Sequence, residues 1–200
     1  VHMNLDFLPL TTNAFIVEGN SLQIDWESVV PKYQVSYIMG NPPFVGARVM
    51  SSEQKDDVKE IFQGWKNVGN MDYVCCWYKK CADFMKNTSI RAALVSTNSV
   101  SQGESVANLW KPLLENGVHI DFAYRTFQWD SEAKIKAHVH CVIIGFSIAP
   151  YDKPKKIFTD ERISRLYGIT HGTYNCMYGS TELKKPEGTP KVFVAGGAGT

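Results

Sequence analysis

Apolar residues fall along the chain in short blocks separated by polar turns, and the blocks alternate between two periods. Phe15-Ile16-Val17 and Ser36-Tyr37-Ile38-Met39 are runs of strand length, closed by Glu18-Gly19-Asn20 and by Gly40-Asn41. Ser51 and Gln54 have capping-box spacing at the head of a helix that runs through Phe62. After a loop over 64–70, Val74, Trp77, Tyr78, Cys81 and Met85 recur at helical spacing, which predicts a long helix over 71–86. Ala92-Ala93-Leu94-Val95 is a buried strand that opens onto the polar loop Ser96-Thr97-Asn98-Ser99. A helix over 105–115 stops at Asn116-Gly117. Segments 118–124 and 138–146 are apolar and closely connected, which predicts an antiparallel pair. Strand, helix, strand, helix and then a strand pair make a doubly wound α/β pattern. In such sheets ligands sit at the carboxyl ends of the strands. The polar motifs at Asn20, Asn41, 96–99 and 125–129 all fall at those ends.

The order of polar residues singles out Asn41-Pro42-Pro43-Phe44. Two adjacent prolines lock φ and remove two backbone donors, and the residues before them are pushed to extended conformations. A rigid turn results, with outward carbonyls that have no strand partner. An amide stands at its head and an aromatic ring at its foot. Fixed acceptors beside a stacking surface suit an exocyclic amine on a planar base. The plainer alternative is a proline-stiffened turn after a strand.

Composition narrows the rest. With 200 residues the chain is long enough for one α/β domain with a sizeable core. No apolar run approaches the roughly 18 residues of a membrane span, and Val1-His2-Met3-Asn4 lacks signal-peptide character. A formal net charge of +1 gives no strong basic field, as in a catalytic module whose nucleic-acid grip lies elsewhere. Five cysteines, odd in number and irregular in spacing, point to a reducing cytoplasm rather than a disulfide framework. Cys75, Cys76, Cys81, His138, His140 and Cys141 contain no Cys-x-x-Cys pair and do not match zinc spacing, so the thiols read as core residues and no metal is expected.

Beyond these residue-level readings the chain resembles the DNA methyltransferases that modify adenine at N6. Within them it is most similar to the single-chain restriction–modification and phage-defence methylases. The resemblance is carried, in order, by Ile16-Val17-Glu18-Gly19-Asn20-Ser21-Leu22-Gln23-Ile24-Asp25-Trp26 and Gly40-Asn41-Pro42-Pro43-Phe44. It continues through Asn70-Met71-Asp72-Tyr73-Val74, the run over 95–104, Arg125-Thr126-Phe127-Gln128-Trp129 and the run over 138–146, and spans about 4–158.

The resemblance implies a Rossmann-like, S-adenosylmethionine-dependent methyltransferase fold, its mixed sheet ending in an antiparallel pair. It implies double-stranded DNA as partner, through the full-length protein, and methyl transfer from S-adenosylmethionine to the N6 of an adenine flipped out of its stack. Asn41 and the Pro42 carbonyl would accept from the amine, with Pro43 and Phe44 completing the catalytic turn and Phe44 packing on the base. Phe127 would stack on the other face, with Trp129 the alternative; both also fit core aromatics at a hairpin mouth. Asn20, with Ser21 beside it, occupies the position that meets the cofactor's adenine, where an acidic residue is common. Asp72 fits a later acidic position near the cofactor, or equally a first-turn helix carboxylate.

Two departures shape the expected architecture. The family's glycine-rich cofactor loop and the strand carrying the ribose acid precede the segments matched here. The fold is therefore expected to be incomplete, with its first two strands missing and weak cofactor binding. Residues 1–150 would form a partial catalytic domain, and 151–200 an irregular tail at the start of a linker to an absent target-recognition domain. Val192-Phe193-Val194-Ala195-Gly196-Gly197 resembles a nucleotide-binding strand and turn but reads as flexible tail. An open sheet edge would favour self-association. The other functional classes in play are a non-catalytic scaffold or regulatory remnant, and an RNA or protein amine methyltransferase.

Overall fold

A computed structural model describes residues 16–129, 139–159 and 192–194. Four α-helices are described: α1 (Trp26–Val29), α2 (Ser52–Ile61), α3 (Cys75–Met85) and α4 (Lys111–Glu115). The strands are β1 (Tyr37–Gly40), β2 (Arg91–Thr97), β3 (His119–Trp129), β4 (Val139–Ser147), β5 (Lys156–Phe158) and β6 (Val192–Val194). They form one mixed sheet in the order β5-β3-β4-β2-β1-β6. Strand β4 runs antiparallel to both neighbours, and every other pairing is parallel.

Local chemistry sets the helix ends. The Ser51 hydroxyl accepts from Gln54 N at 3.3 Å while the Gln54 side chain accepts from Ser51 N at 3.0 Å, the reciprocal cap expected from the spacing. Helix α3 begins at Cys75 rather than near 71, because residues 72 and 73 bond to the loop after β1 instead. The helix expected over 105–115 starts as a wide π-turn, Val106–Trp110, before α4. Pro112 has no N–H to return to Asn108, which removes the i→i−4 bond that would tighten it. Gly117, at φ 86°, ends α4 in the left-handed region, and Val118 N reaches back to Leu113 O at 3.0 Å.

Strand register separates the two faces of the sheet. Ile38, Ala92, Leu94, Ser96, Val142, Ile144 and Phe146 share one face, and all are buried. Against them lie Tyr78, 5.2 Å from the Phe146 ring, and Trp110 at an edge-on 6.2 Å. Tyr78 and Ser96 share a buried hydroxyl–hydroxyl bond of 2.5 Å, which satisfies both polar atoms of that core. On the opposite face Met39 is half exposed and Ala93, Val95 and Ile143 are partly so. Among the described residues helices cover one face of the sheet, so the doubly wound arrangement expected from the pattern is not seen.

Two bulges interrupt the β3–β4 ladder, between Ile120 and Phe122 and between Tyr124 and Phe127. The first turns the buried Asp121 toward Arg91, at 2.6 Å, and toward the Ser147 hydroxyl at 2.9 Å, which locks three strands together at their lower ends. It also lays the Phe122 ring across Gly145, where an added Cβ would stand 2.0 Å from the ring. Gly145→Ala is expected to destabilise the fold by about 1–3 kcal/mol through this overpacking. A shift in the urea midpoint at constant slope would measure it, and an unchanged midpoint would show that the ring moves freely.

Three expectations need correction. Ile16 and Val17 belong to no strand and are 88% and 55% exposed; Phe15 lies outside the described residues. The segment expected to be irregular tail supplies both sheet edges, β5 against β3 and β6 against β1. The outer edge of β1 is therefore not left open: Tyr37, Ile38 and Met39 pair with Val192, Phe193 and Val194. The unpaired backbone groups of a short edge strand accept a parallel partner, and Val-Phe-Val has the β-branched and aromatic character that suits a strand.

Candidate functional site

Strands β1, β2 and β3 are mutually parallel, so their carboxyl ends emerge on one side of the sheet. Asn41-Pro42-Pro43-Phe44 leaves the end of β1 there with all peptide bonds trans. Asn41 is exposed, Pro42 buried, and Pro43 and Phe44 half-buried. The buried proline fixes the turn, and the amide faces solvent with no hydrogen bond among the described residues.

Asp72 braces the loop that follows. Its Oδ1 accepts from Ala47 N at 3.0 Å, and its Oδ2 accepts from the Ser99 hydroxyl at 2.5 Å. Ser99 in turn lies 2.7 Å from the Thr97 hydroxyl at the end of β2. Tyr73 N adds a bond to Val45 O at 2.9 Å. One carboxylate thus ties the loop after β1 to the loop after β2, which holds the proline turn in place.

The segment around Asn20 is fixed by side chains that the sequence did not single out. Asp57, buried on α2, accepts from the Tyr73 hydroxyl at 2.5 Å, from Asn20 Nδ2 at 2.9 Å and from Gln23 Nε2 at 2.9 Å. Burial pushes its carboxyl up, but these three donors outweigh it and hold the group below its usual range. Burial, reinforced by the Asp57 carboxylate, pushes the Tyr73 phenol well up, so it remains a donor. Ser21 accepts from both Trp77 and Trp26, through its hydroxyl at 3.0 Å and its carbonyl at 2.8 Å. Lys80 donates to Leu22 O at 2.6 Å and Ile24 O at 2.7 Å and lies 5.4 Å from the Trp26 ring. Desolvation lowers its pKa even so. The one signal for Asp57 was its place beside Val58, one turn before Ile61, where a helix turns inward. Asn20 and the Tyr73 hydroxyl donate to the same Asp57 oxygen, which links the Asn20 segment to the residue that follows Asp72.

Phe127 stands further away. It pairs with Cys141, which pairs with Thr97, so it is level with the end of β2. Its ring meets Tyr124 edge-on at 5.7 Å, across the second bulge. Beyond that level, among the described residues, β3 and β4 pair only with each other, and the Trp129 backbone pairs with Val139. The Trp129 side chain and the hairpin tip lie outside the described residues. Cys75, Cys76, Cys81 and Cys141 are buried and unpaired, and burial together with Asp72 pushes Cys75 up to about 12. These thiols are packing residues. Among the described residues no three His, Cys, Asp or Glu side chains converge on a metal position, and no helix is long and apolar enough to cross a membrane.

The mixed sheet and the helices packed on it define a domain of the α/β class, in which the braced polar turn lies at the carboxyl ends of the parallel strands, where ligands of such sheets sit. Residues 1–159 match the family model described as MmeI, DNA-methyltransferase domain, and the chain belongs to that family. It is 38% identical over 156 residues to DNA methyltransferase A of Bacillus subtilis (strain 168), which covers 77% of this chain and 18% of that protein. It is similar in structure to the Type IIL restriction-modification enzyme MmeI in complex with DNA. There the TM-score is 0.71 at 44% identity, over 78% of this chain and 21% of that one. The chain thus spans about a fifth of the length of the relatives it matches.

Proposed function

We propose that this chain carries the catalytic turn of a cytoplasmic DNA methyltransferase that acts on the N6 amine of an adenine swung out of the duplex. The observation that carries the reading is the exposed Asn41 amide, free of hydrogen bonds to the described residues, at the head of a turn that Pro42 and Asp72 keep rigid. The amide oxygen and the Pro42 carbonyl accept the two amine hydrogens, which localises the nitrogen lone pair and aims it away from the ring. Fixed dipoles and orientation carry the rate, and no side chain forms a bond to the base. Phe44 lies against one face of the purine. Strand β3 is three strand spacings from β1, roughly 14 Å, a gap that a base and two aromatic side chains fill, which supports Phe127 on the second face. The overrunning β3–β4 arm keeps Trp129 as the alternative.

The methyl donor implied by the family is S-adenosylmethionine, which supplies an electrophilic methyl on a sulfonium. The residues present fit its adenine. Asn20 spends one amide hydrogen on Asp57 and keeps the other, and each Asp72 oxygen keeps a lone pair beyond its single bond. Ser21 positions this edge through Trp77. On this reading the matched region belongs to a Rossmann-like catalytic unit, to whose sheet β5 and β6 contribute the two edges.

The test is methylation of a duplex carrying the protein's target site, with Phe127→Ala beside the wild type. The loss of one base–aromatic stack is expected to weaken base flipping by about 1–3 kcal/mol. A wild-type protein that methylates cytosine or RNA in preference to adenine in duplex DNA would overturn the reading.

A further inference from the structure

The turn Gly46–Val49 follows the catalytic tetrapeptide directly and is closed by a bond from Val49 N to Gly46 O at 3.0 Å. Its entry is clamped twice, by Ala47 N on the Asp72 carboxylate and by Tyr73 N on Val45 O. Its exit is anchored by Met50, only 6% exposed, and then by the Ser51 cap of α2. Between these anchors stand two side chains that the fold does not use. Val49 is 76% exposed, although it is a branched aliphatic on a rigid segment. Arg48 is exposed and makes no ion pair among the described residues. Tyr33 and Ile157, also exposed, lie on segments that do not adjoin the proline turn, and Met39, 50% exposed, precedes that turn on β1.

We propose that the turn Gly46–Val49 is a duplex-opening wedge, in which Val49 enters the space vacated by the target base and Arg48 grips the adjacent phosphate. The proposal rests on the base-flipping reading above. An extruded base leaves a gap in the stack, and apolar side chains inserted at base steps stabilise such distortion. A guanidinium without an ion-pair partner among the described residues is suited to a bidentate phosphate contact. Its place beside the amine acceptors couples opening to capture: the element that holds the gap is covalently continuous with the turn that receives the base. Rigidity matters here, since a wedge held in its working shape loses little entropy on insertion.

The experiment uses the whole protein and a cognate duplex with 2-aminopurine at the target position. Wild type is expected to raise the fluorescence on binding. Val49→Ala is expected to lower the flipped fraction by about tenfold, since the wedge offsets part of the unstacking cost, while Val49→Leu retains it. A mismatch opposite the target removes part of the opening cost and is expected to restore Val49→Ala. Arg48→Ala is expected to leave the flipped fraction of bound complexes near wild type, weaken binding, and reduce the salt slope by about one counterion. If Val49→Ala flips as well as wild type, or if the mismatch does not restore it, the wedge is overturned while the methyltransferase reading stands. If wild type itself neither flips nor methylates the target, the functional reading fails and the wedge with it.

Discussion

Asn41→Ala is expected to lower methyl transfer by at least about a hundredfold while leaving the fold intact. The side chain is exposed and carries no hydrogen bond among the described residues, so its truncation removes nothing that the described sheet or core depends on. Pro42 is buried and keeps the turn in shape. What disappears is one of two preorganised acceptors for an amine whose charge changes during transfer. Losing one such fixed polar group typically costs about 10²–10³ in rate. Thermal unfolding should move by no more than the ±0.5 kcal/mol usual for surface substitutions. The two measurements belong together: transfer of a labelled methyl group to a cognate duplex, and the unfolding curve of the same preparation. Near-normal transfer with an unchanged curve would remove the acceptor role from Asn41.

The second large effect concerns Asp57. Asp57→Ala is expected to destabilise the protein by about 2–4 kcal/mol. The Tyr73 hydroxyl is left buried without an acceptor, and a charged hydrogen-bond acceptor vanishes from α2. Asn20 and Gln23 are exposed and regain water, so they add little. The pH dependence has a definite sign. The folded carboxyl titrates below the ordinary aspartate value of 3.8. Folding therefore favours the ionised form, and the stabilisation is complete above that value. It is lost as pH falls through the lower folded value. Urea unfolding of wild type and Asp57→Ala should differ fully at pH 7 and converge in strong acid. A gap that stays constant down to pH 2 would mean that the neutral acid serves as well. Loosening Asp57 also frees Tyr73, whose backbone holds the loop after β1, so catalytic positioning should decline along with stability.

How much of this was legible in the sequence depended on how local the deciding interaction was. Strands β1 to β4 announce themselves as apolar runs, and the Ser51–Gln54 cap as a spacing of three. The proline turn is written in four consecutive residues. The bond from Asp72 to Ala47 and Ser99 is not, because its partners are a backbone N–H and a hydroxyl that only the folded sheet brings together. The late start of α3 has the same origin. The pairing of β6 with β1 was the least legible of all. Three residues of β-favouring type have no period of their own, and the glycines that follow them argue for a mobile tail. The deciding factor was an open edge at the other end of the chain.

That edge has a consequence for how the molecule comes to be made. Strand β1, at Tyr37–Gly40, is synthesised long before its outer neighbour β6, at Val192–Val194. Contacts this remote in sequence close slowly, since the chain must lose its loop entropy before the pairing rewards it. Strands β2, β4 and β3 can zip together while β1 still carries one bare side, and the proline turn can be braced by Asp72 in the same interval. That side of β1 is covered only when β6 arrives. Until then a nascent chain presents the flank of the strand that leads into the proline turn to whatever is near, which makes the interval between β1 and β6 the one in which chaperone protection matters most.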